Sequence, residues 1–419
     1  MALLHLAADW ARRRGRRVLA VTVDHGLNLE SPRWSEICRR ACAALGVDWI
    51  ERRWECDKPA TGLTAAARAA RHALIAEAAR EAGARVVLLA HTADDIAESD
   101  WMRAQPMGEG GATLGRLREW SPSPAWPQGR GLMLLRPLLD ERREALRVWL
   151  AARGGDWIED PANRDERFGR SRARAALVGL APPSDPEERA VPAGVWHGHW
   201  WGGLELARPM PMPLLAFALL AAAGTATPPR GKRLAAMHDR LQASGRSVVA
   251  TLAGARVLTL REAAMIGREA GEMQRTGQGP VPLTPNTPTV WDGRFEITAG
   301  DPGWNVVSQS LAVRRLEGED SGIFHGTAPS FGGSLPVLIR DDGTAPVLAW
   351  RHAEVRTLAP RRLDLALSAL GMGETTQESH LFRPVHGEMP PTDLFSRSDH
   401  EPARVSKRRR GTENQNEPA

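Results

Sequence analysis

The sequence contains no tyrosine and only three lysines among its 55 basic residues, so arginine carries almost all of the positive charge. The formal net charge is +5 and the sequence pI is about 9.8. A GC-rich coding sequence favours arginine codons, and abundant arginine therefore does not by itself indicate RNA binding. Local clusters of arginine are the better indicator, because a basic patch attracts phosphates.

Cysteine is scarce as well, with only Cys38, Cys42 and Cys56. Three cysteines do not suit a disulfide framework, which needs an even number. Cys38 and Cys42 lie one turn apart on a predicted helix, but no further cysteine or close histidine completes a metal site. We therefore expect plain buried or half-buried thiols.

Long apolar runs are missing too, since none approaches the roughly 20 residues that cross a bilayer. The first residues do not resemble a signal peptide, because their charges follow the apolar residues instead of preceding them. The sequence thus predicts a cytoplasmic protein with no membrane partner. Its 419 residues leave room for two or three domains.

Helices and strands are predicted to alternate in the first part of the chain. The predicted helices lie at 1–14, 33–45 and 64–82, and the predicted strands at 18–23, 47–53 and 85–90. This alternation is typical of a parallel sheet with helices on both faces. A loop rich in glycine, proline and serine is predicted at 104–131, followed by a helix at 140–153.

Composition divides the rest of the chain into smaller modules, because proline-rich stretches mark linkers. The predicted division is an α/β domain at 1–178, a linker at 179–200, a central α+β module at 201–275, a second linker at 276–290, a β-rich module at 291–385 and a disordered tail at 386–419. Within the β-rich module, alternation around Asp342 and Gly343 predicts a hairpin. The tail is polar and basic, which is typical of disorder.

Polar residues follow two of the predicted strands, and ligands of open α/β sheets bind beyond the carboxyl ends of strands. These residues are Val23, Asp24, His25 and Gly26 after the first strand, and His91, Asp94, Asp95 and Glu98 after the third. Acidic residues near a helix N-terminus are also stabilised by the helix dipole, so capping alone explains Asp94 or Asp95. A histidine together with three acids favours a functional site.

Arginines cluster at three further places. These are Arg68 and Arg71 on one helix face, Arg136 in the stretch RPLL, and Arg170, Arg172 and Arg174 in the stretch RFGRSRAR. Arginines interleaved with aromatic residues suit a phosphate backbone and stacked bases. A solvated helix face or a basic helix end explains the same patterns without any ligand.

Five stretches together resemble the tRNA(Ile)-lysidine synthetase family. They are VDHGLN, AARAARH, LAHTADDIAES, RPLL and WIEDPANRD–RFGRSRAR, in the family's order over residues 1–178. The resemblance implies a Rossmann-like parallel sheet of the PP-loop ATP pyrophosphatase type. It also implies that ATP, with Mg²⁺, adenylylates the wobble cytidine of tRNA(Ile), and that the ε-amino group of free lysine then displaces AMP.

The resemblance assigns roles to the candidate residues. It implies catalytic roles for His91, Asp94, Asp95, Glu98, Arg68 and Arg71, nucleotide binding at Val23, Asp24, His25 and Gly26, tRNA contacts at Arg136, Arg170, Arg172 and Arg174, and Mg²⁺ at Asp94 and Asp95.

The sequence departs from the family pattern in several places. The pattern HHxDDQxET reads here with Thr92, Ile96 and Ser99, and His72 stands where a tyrosine is common. The pyrophosphate loop SGGxDS, expected before the first helix, does not occur in this sequence. We therefore expect an N-terminally truncated domain in which the strand at 18–23 lacks a neighbour and ATP binding is weak or absent.

Two other functions fit parts of the pattern. A tRNA-binding protein that no longer uses ATP would explain the missing loop, although such a protein has little need of the acids after His91. A tRNA 2-thiocytidine synthetase would share the sheet and the use of ATP. Those enzymes need paired CxxC thiols, and the sequence has no CxxC.

Overall fold

The computed structural model describes residues 1–104, 117–159, 169–177, 194–226, 229, 231–243, 247–276, 279–312, 315–326 and 330–369. The predicted tail at 386–419 and most of the WIEDPANRD–RF segment lie outside the described residues. None of the helices within these ranges is long and apolar enough to cross a membrane.

The N-terminal part alternates between helices and strands, as predicted. Its helices are α1 (Ala2–Arg14), α2 (Ser31–Leu45), α3 (Leu63–Glu81), α4 (Ala93–Ala104), α5 (Arg143–Ala151) and α6 (Gly169–Leu177). Its strands are β1 (Leu19–Asp24), β2 (Asp48–Arg53), β3 (Val86–Leu88), β4 (Trp120–Pro122) and β5 (Met133–Leu135). The prediction of a continuous loop at 104–131 was wrong at β4, a strand too short to show a period of its own.

The parallel strands form two sheets instead of one. β1 pairs with β2 in parallel, while β3 pairs in parallel with β5, which also pairs antiparallel with β4. Among the described residues β1 and β3 each have a partner on one side only. Helix α3 packs against both strands. Every residue of β1 is half-buried, whereas β5 is fully buried.

The central part is an antiparallel sheet covered by two helices. Its elements are β6 (Trp196–Gly198), β7 (Leu204–Ala207), α7 (Met212–Ala223), α8 (Lys232–Ala243), β8 (Val249–Leu252), β9 (Ala255–Thr259), β10 (Ala263–Arg268) and α9 (Ala270–Thr276). The strand order is β6-β7-β10-β9-β8. Helix α7 is apolar throughout and lies in the core of this part.

The C-terminal part contains two further sheets. Its elements are β11 (Val281–Pro282), β12 (Thr289–Trp291), β13 (Phe295–Ala299), β14 (Asn305–Ser308), α10 (Gly318–Gly326), β15 (Pro336–Ile339), β16 (Val347–Leu348), β17 (Ala353–Thr357) and α11 (Ala359–Ser368). The predicted hairpin is confirmed, since β15 and β16 pair antiparallel with Gly343 at φ 85° between them. Strands β6 and β11 lie inside the predicted linkers, and the division into modules stays a prediction.

A buried ion-pair group joins the three parts of the chain. The Asp292 carboxylate lies 2.6 Å from Arg294 Nε and 3.2 Å from Arg268 Nε, and all three side chains are buried. Gly224, at the end of α7, must be glycine because a Cβ would lie 2.1 Å from the Asp292 carbonyl oxygen. Trp126 Nε1 of the N-terminal part donates to the Gly293 carbonyl oxygen at 2.8 Å. We call this group the junction.

Removing the charge of Asp292 tests how much the junction stabilises the fold. We expect Asp292→Asn to lower the free energy of unfolding by about 3–5 kcal/mol, because two buried guanidinium groups lose their shared counter-charge. Asparagine tolerates the positive φ of 50° at this residue, so the backbone is kept. Chemical denaturation measures the difference.

The matched control is Glu354→Gln, which breaks an exposed ion pair with Arg356. It should change the free energy of unfolding by no more than about 1 kcal/mol. Equal effects of the two substitutions would contradict a stabilising role for the junction.

Candidate active site

The start of α4 is fixed by a capping interaction. Asp95 Oδ2 accepts hydrogen bonds from the backbone N–H of Thr92 at 2.9 Å and from its hydroxyl at 2.8 Å. This is the arrangement in which a residue of the first helical turn reaches back to the cap. The other oxygen, Oδ1, lies 3.7 Å from Arg170 Nη1. Capping therefore occupies one oxygen of Asp95 and leaves the second facing an arginine.

Asp94 connects α4 to the start of α5. Its Oδ2 accepts the backbone N–H of Arg143 at 2.7 Å, and its Oδ1 accepts Arg142 Nε at 3.1 Å. Burial acts in the opposite direction, but these bonds hold the pKa of Asp94 below its usual range. Asp94 thus accepts the first backbone N–H group of α5. The sequence did not indicate this contact between the two helices.

Glu98 is the most deeply buried acid of the group, with 1% of its surface exposed. Its Oε1 accepts Arg174 Nε at 2.7 Å and Arg143 Nη2 at 3.1 Å. Arg170 and Arg174 share one face of α6, directed at α4, whereas Arg172 is exposed. Arg174 thus forms a half-buried ion pair with Glu98 where α6 packs on α4, and its tRNA contact stays a prediction.

The contacts of the acids bear on the predicted magnesium site. Asp94 has both oxygens in bonds to α5, and Asp95 uses one oxygen as a cap. Within the described ranges no group of three or more histidine, cysteine or acidic side chains could hold a metal ion. These bonds engage both oxygens of Asp94 and leave Oδ1 of Asp95 outside the cap, 3.7 Å from Arg170 Nη1, and the magnesium site at Asp94 and Asp95 stays a prediction.

Positive groups gather around Asp95 at the carboxyl ends of the strands. We call Arg68, Arg71, His72, His91, Arg136 and Arg170 the cationic cluster, since the charges of its arginines act on the other members. Burial, followed by the charge of Arg170, lowers the pKa of both Arg68 and Arg71. Cations crowded in this way favour an anionic ligand.

Two histidines of the cluster stay neutral. Burial, followed by Arg68 and Arg136, lowers the pKa of His72 to about 4. Burial also lowers the pKa of His91 to about 4, against the opposing effect of Asp95. The Nδ1 atom of His91 is buried and has no hydrogen-bond partner in the described part of the chain. Neutral rings can accept hydrogen bonds here without adding to the crowded positive charge.

The residues after β1 form a turn beside this cluster. Asp24 Oδ1 accepts the N–H of Gly26 at 2.8 Å, and Gly26 has a φ of 63°. His25 points to α3, with its Nε2 3.3 Å from Arg71 Nε and 3.2 Å from Arg71 Nη2. Val23 lies within β1, opposite Arg52 of β2. Of the predicted nucleotide-binding residues, the structure thus brings His25 to the cationic cluster, while Asp24 and Gly26 shape the turn.

Sequence reasoning missed three residues of this site. His72 was noted only as a departure from a family pattern, while Arg142 and Arg143 were not singled out. The one available indication for the two arginines was their position at the start of a predicted helix. Their acidic partners lie 45 to 49 residues away in the chain, and only the fold brings the start of α5 to α4.

Comparisons with known proteins show the family to which the chain belongs. A family description, the PP-loop domain, matches residues 1–180. The tRNA(Ile)-lysidine synthase of Caulobacter vibrioides is 43% identical over 383 residues, which covers 89% of this chain and 92% of that protein. The chain belongs to the tRNA(Ile)-lysidine synthase family. The family member of Hyphomonas neptunium is 34% identical and covers 72% of this chain and 84% of its own length.

A solved structure is also similar to part of the chain. The U34-tRNA thiolase NcsA from Methanococcus maripaludis matches 42% of this chain and 62% of its own, with a TM-score of 0.34 and 12% sequence identity.

The two neutral histidines make stability depend on pH. Their pKa lies near 4 in the folded chain and near 6.5 when unperturbed, so the unfolded chain binds protons first as the pH falls. Their contribution is complete above about pH 6.5 and is lost as the pH falls towards about 4. We expect the free energy of unfolding to drop by about 4 kcal/mol between about pH 7 and pH 5, roughly 2 kcal/mol for each histidine.

Denaturation of a variant that carries both His72→Asn and His91→Asn isolates this effect from that of the carboxylates. The variant should lose less stability over the same pH interval than the unchanged chain. An identical pH dependence would show that other groups are responsible.

Proposed function

We propose that this chain ligates free lysine to the wobble cytidine of tRNA(Ile) in a reaction driven by ATP. In the first step the C2 oxygen of the cytosine attacks the α-phosphorus of ATP and releases pyrophosphate. In the second step the lysine ε-amino group attacks C2 and displaces AMP, which gives lysidine. A tRNA substrate also supports a cytoplasmic location.

The observation that carries this proposal is the cationic cluster around one carboxylate at the carboxyl ends of β1, β3 and β5. Phosphate chemistry needs preorganised positive charge where negative charge develops. Arg68 and Arg71 keep part of their surface open to solvent although neighbouring atoms crowd their guanidinium groups, and Arg71 is linked to His25 after β1. We assign these two arginines to the phosphates of ATP or of the leaving pyrophosphate.

The acids of the site suit the second substrate. Lysine arrives with a positively charged ε-ammonium group, and Oδ1 of Asp95, the oxygen that is not used in capping, lies 3.7 Å from Arg170 Nη1. We assign Asp95 to the orientation of this ammonium group. Glu98 stabilises the site indirectly, because it accepts hydrogen bonds from Arg143 and Arg174. Mg²⁺ would reach the site bound to the ATP phosphates, since it usually keeps few protein ligands.

A second candidate function is tRNA binding without the use of ATP. β1 and β3, which flank the site, each have one unpaired edge among the described residues, so the described sheet lacks the neighbouring strand expected in an ATP-using domain. Cys42 is buried, Cys38 lies on the same helix, and Cys56 is exposed after β2, so the thiols do not support the sulfur chemistry of a 2-thiocytidine synthetase.

Incorporation of labelled lysine into tRNA(Ile) tests the proposed ligation. The reaction should require ATP, should release AMP and pyrophosphate, and should fail with a transcript that carries uridine at the wobble position. We expect Arg68→Ala to reduce the rate by about 10²–10³-fold, because it removes one charge from the developing phosphate.

The control is Arg39→Ala on α2, an exposed arginine paired with Glu36, which should leave the rate unchanged. If the chain binds tRNA(Ile) but incorporates no lysine with ATP present, the ligase assignment is wrong and the binding function takes its place.

A further inference from the structure

A large cavity opens beside the cationic cluster and reaches the C-terminal part of the chain. Its volume is about 1260 Å³. The lining includes Arg68, His72 and Arg136 at the cluster, and Arg356, Arg361 and Arg362 in and before α11. Pockets for small molecules usually measure about 300–1,000 Å³, so this cavity has room for more than one mononucleotide.

Arg362 is buried in this cavity without a counter-charge. Only 9% of its surface is exposed, its Nη1 donates to the Leu220 carbonyl oxygen at 3.1 Å, and its guanidinium lies 4.0 Å from the Trp126 ring centre. Burial alone lowers its pKa to about 9, with no contribution from a charged neighbour. In the described part of the chain no carboxylate pairs with it. A buried cation of this kind is costly unless a ligand neutralises it.

Arg136 is a second buried arginine, at the end of the cavity that lies beside the cationic cluster. It is 7% exposed and donates to the Arg118 carbonyl oxygen at 2.8 Å and to Ser121 Oγ at 2.9 Å. Its Nε is buried and lacks a hydrogen-bond partner among the described residues. Burial, followed by the charge of Arg68, lowers its pKa to about 10. The cavity thus holds two buried arginines, one beside the cationic cluster and one on α11.

Negative charge in the cavity does not balance these arginines. Among the described residues that line it, Glu296 is the one carboxylate, and it lies 2.7 Å from Arg130 Nη2. A single small anion would neutralise one of the two buried arginines and leave the other. A chain of linked phosphates can neutralise both at once.

We propose that this cavity binds a single-stranded segment of RNA, with one phosphodiester at Arg136 and another at Arg362. A single strand fits better than a duplex, since unpaired bases can stack on guanidinium planes. The guanidinium group of Arg362, which lies over the Trp126 ring, provides such a plane. The identity of the RNA rests on the proposed function, which makes it the segment beside the nucleotide that enters the cationic cluster. The phosphate contacts would position this segment without reading its sequence.

The substitution Arg362→Met separates binding from folding. Replacing a buried unpaired charge with an apolar side chain should keep or raise the Tm. The same substitution should weaken binding of an unmodified tRNA(Ile) transcript by about tenfold. It should also reduce the slope of log K against log salt by about 0.7, the value for one lost single-strand phosphate contact.

Arg340→Met is the matched control. Arg340 lies 3.9 Å from the Trp304 ring centre and donates to the Pro302 carbonyl oxygen, so it makes the same kinds of contact outside the cavity. Its substitution should leave the RNA affinity and the salt slope unchanged.

Binding is measured without lysine or ATP, and its outcome therefore does not depend on ligase activity. Unchanged RNA affinity of Arg362→Met, or an equal loss in Arg340→Met, would overturn the proposal. Weakened binding of ATP or pyrophosphate with unchanged RNA binding would overturn it as well, in favour of a small-anion site. Failure of lysine incorporation alone would affect only the proposed function.

Discussion

Two regions of this chain depend on the same kind of interaction, a buried carboxylate that is shared by two arginines. Glu98 holds Arg143 and Arg174 together, and this bond joins α4 to α5 and α6. Asp292 does the same for Arg268 and Arg294 where the sheets of the central and C-terminal parts meet. Each group fixes the packing of distant segments, because removing the carboxylate would leave buried charge unpaired. The Asp292 group keeps one positive charge in excess, whereas Arg143 of the Glu98 group also lies 3.7 Å from Asp95 Oδ2.

The strands and their polar ends followed from sequence because they depend on local patterns. Apolar runs placed β1 and β3, and the residues after them do lie near the cationic cluster. The hydrogen-bond partners of Asp94 and Arg174 could not be predicted from the sequence. These contacts depend on which helices meet in the fold and not on residue spacing along one helix. The shortest strands escaped prediction for a different reason. Two or three residues cannot display alternation, and pairing with longer neighbours stabilises them.

Arginine dominates the candidate site for a reason that composition alone could not show. A guanidinium group stays charged even when burial lowers its pKa, and it donates in several directions at once. Arg136 uses this property when it bonds to β4 and still faces the cavity. The neutral imidazoles of His72 and His91 then fill positions where another charge would be repelled. The site combines permanent cations with neutral acceptors, which suits a ligand that carries both phosphates and a polar base.

The one-sided pairing of β1 also has a consequence for handling the protein. An edge strand presents unpaired N–H and C=O groups that can pair with a strand from another molecule. β1 carries the apolar stretch LAVTV without a proline or lysine that would discourage such pairing, and β3 consists of Val86, Val87 and Leu88. We therefore expect concentrated solutions of this chain to self-associate through these edges, which are unpaired among the described residues.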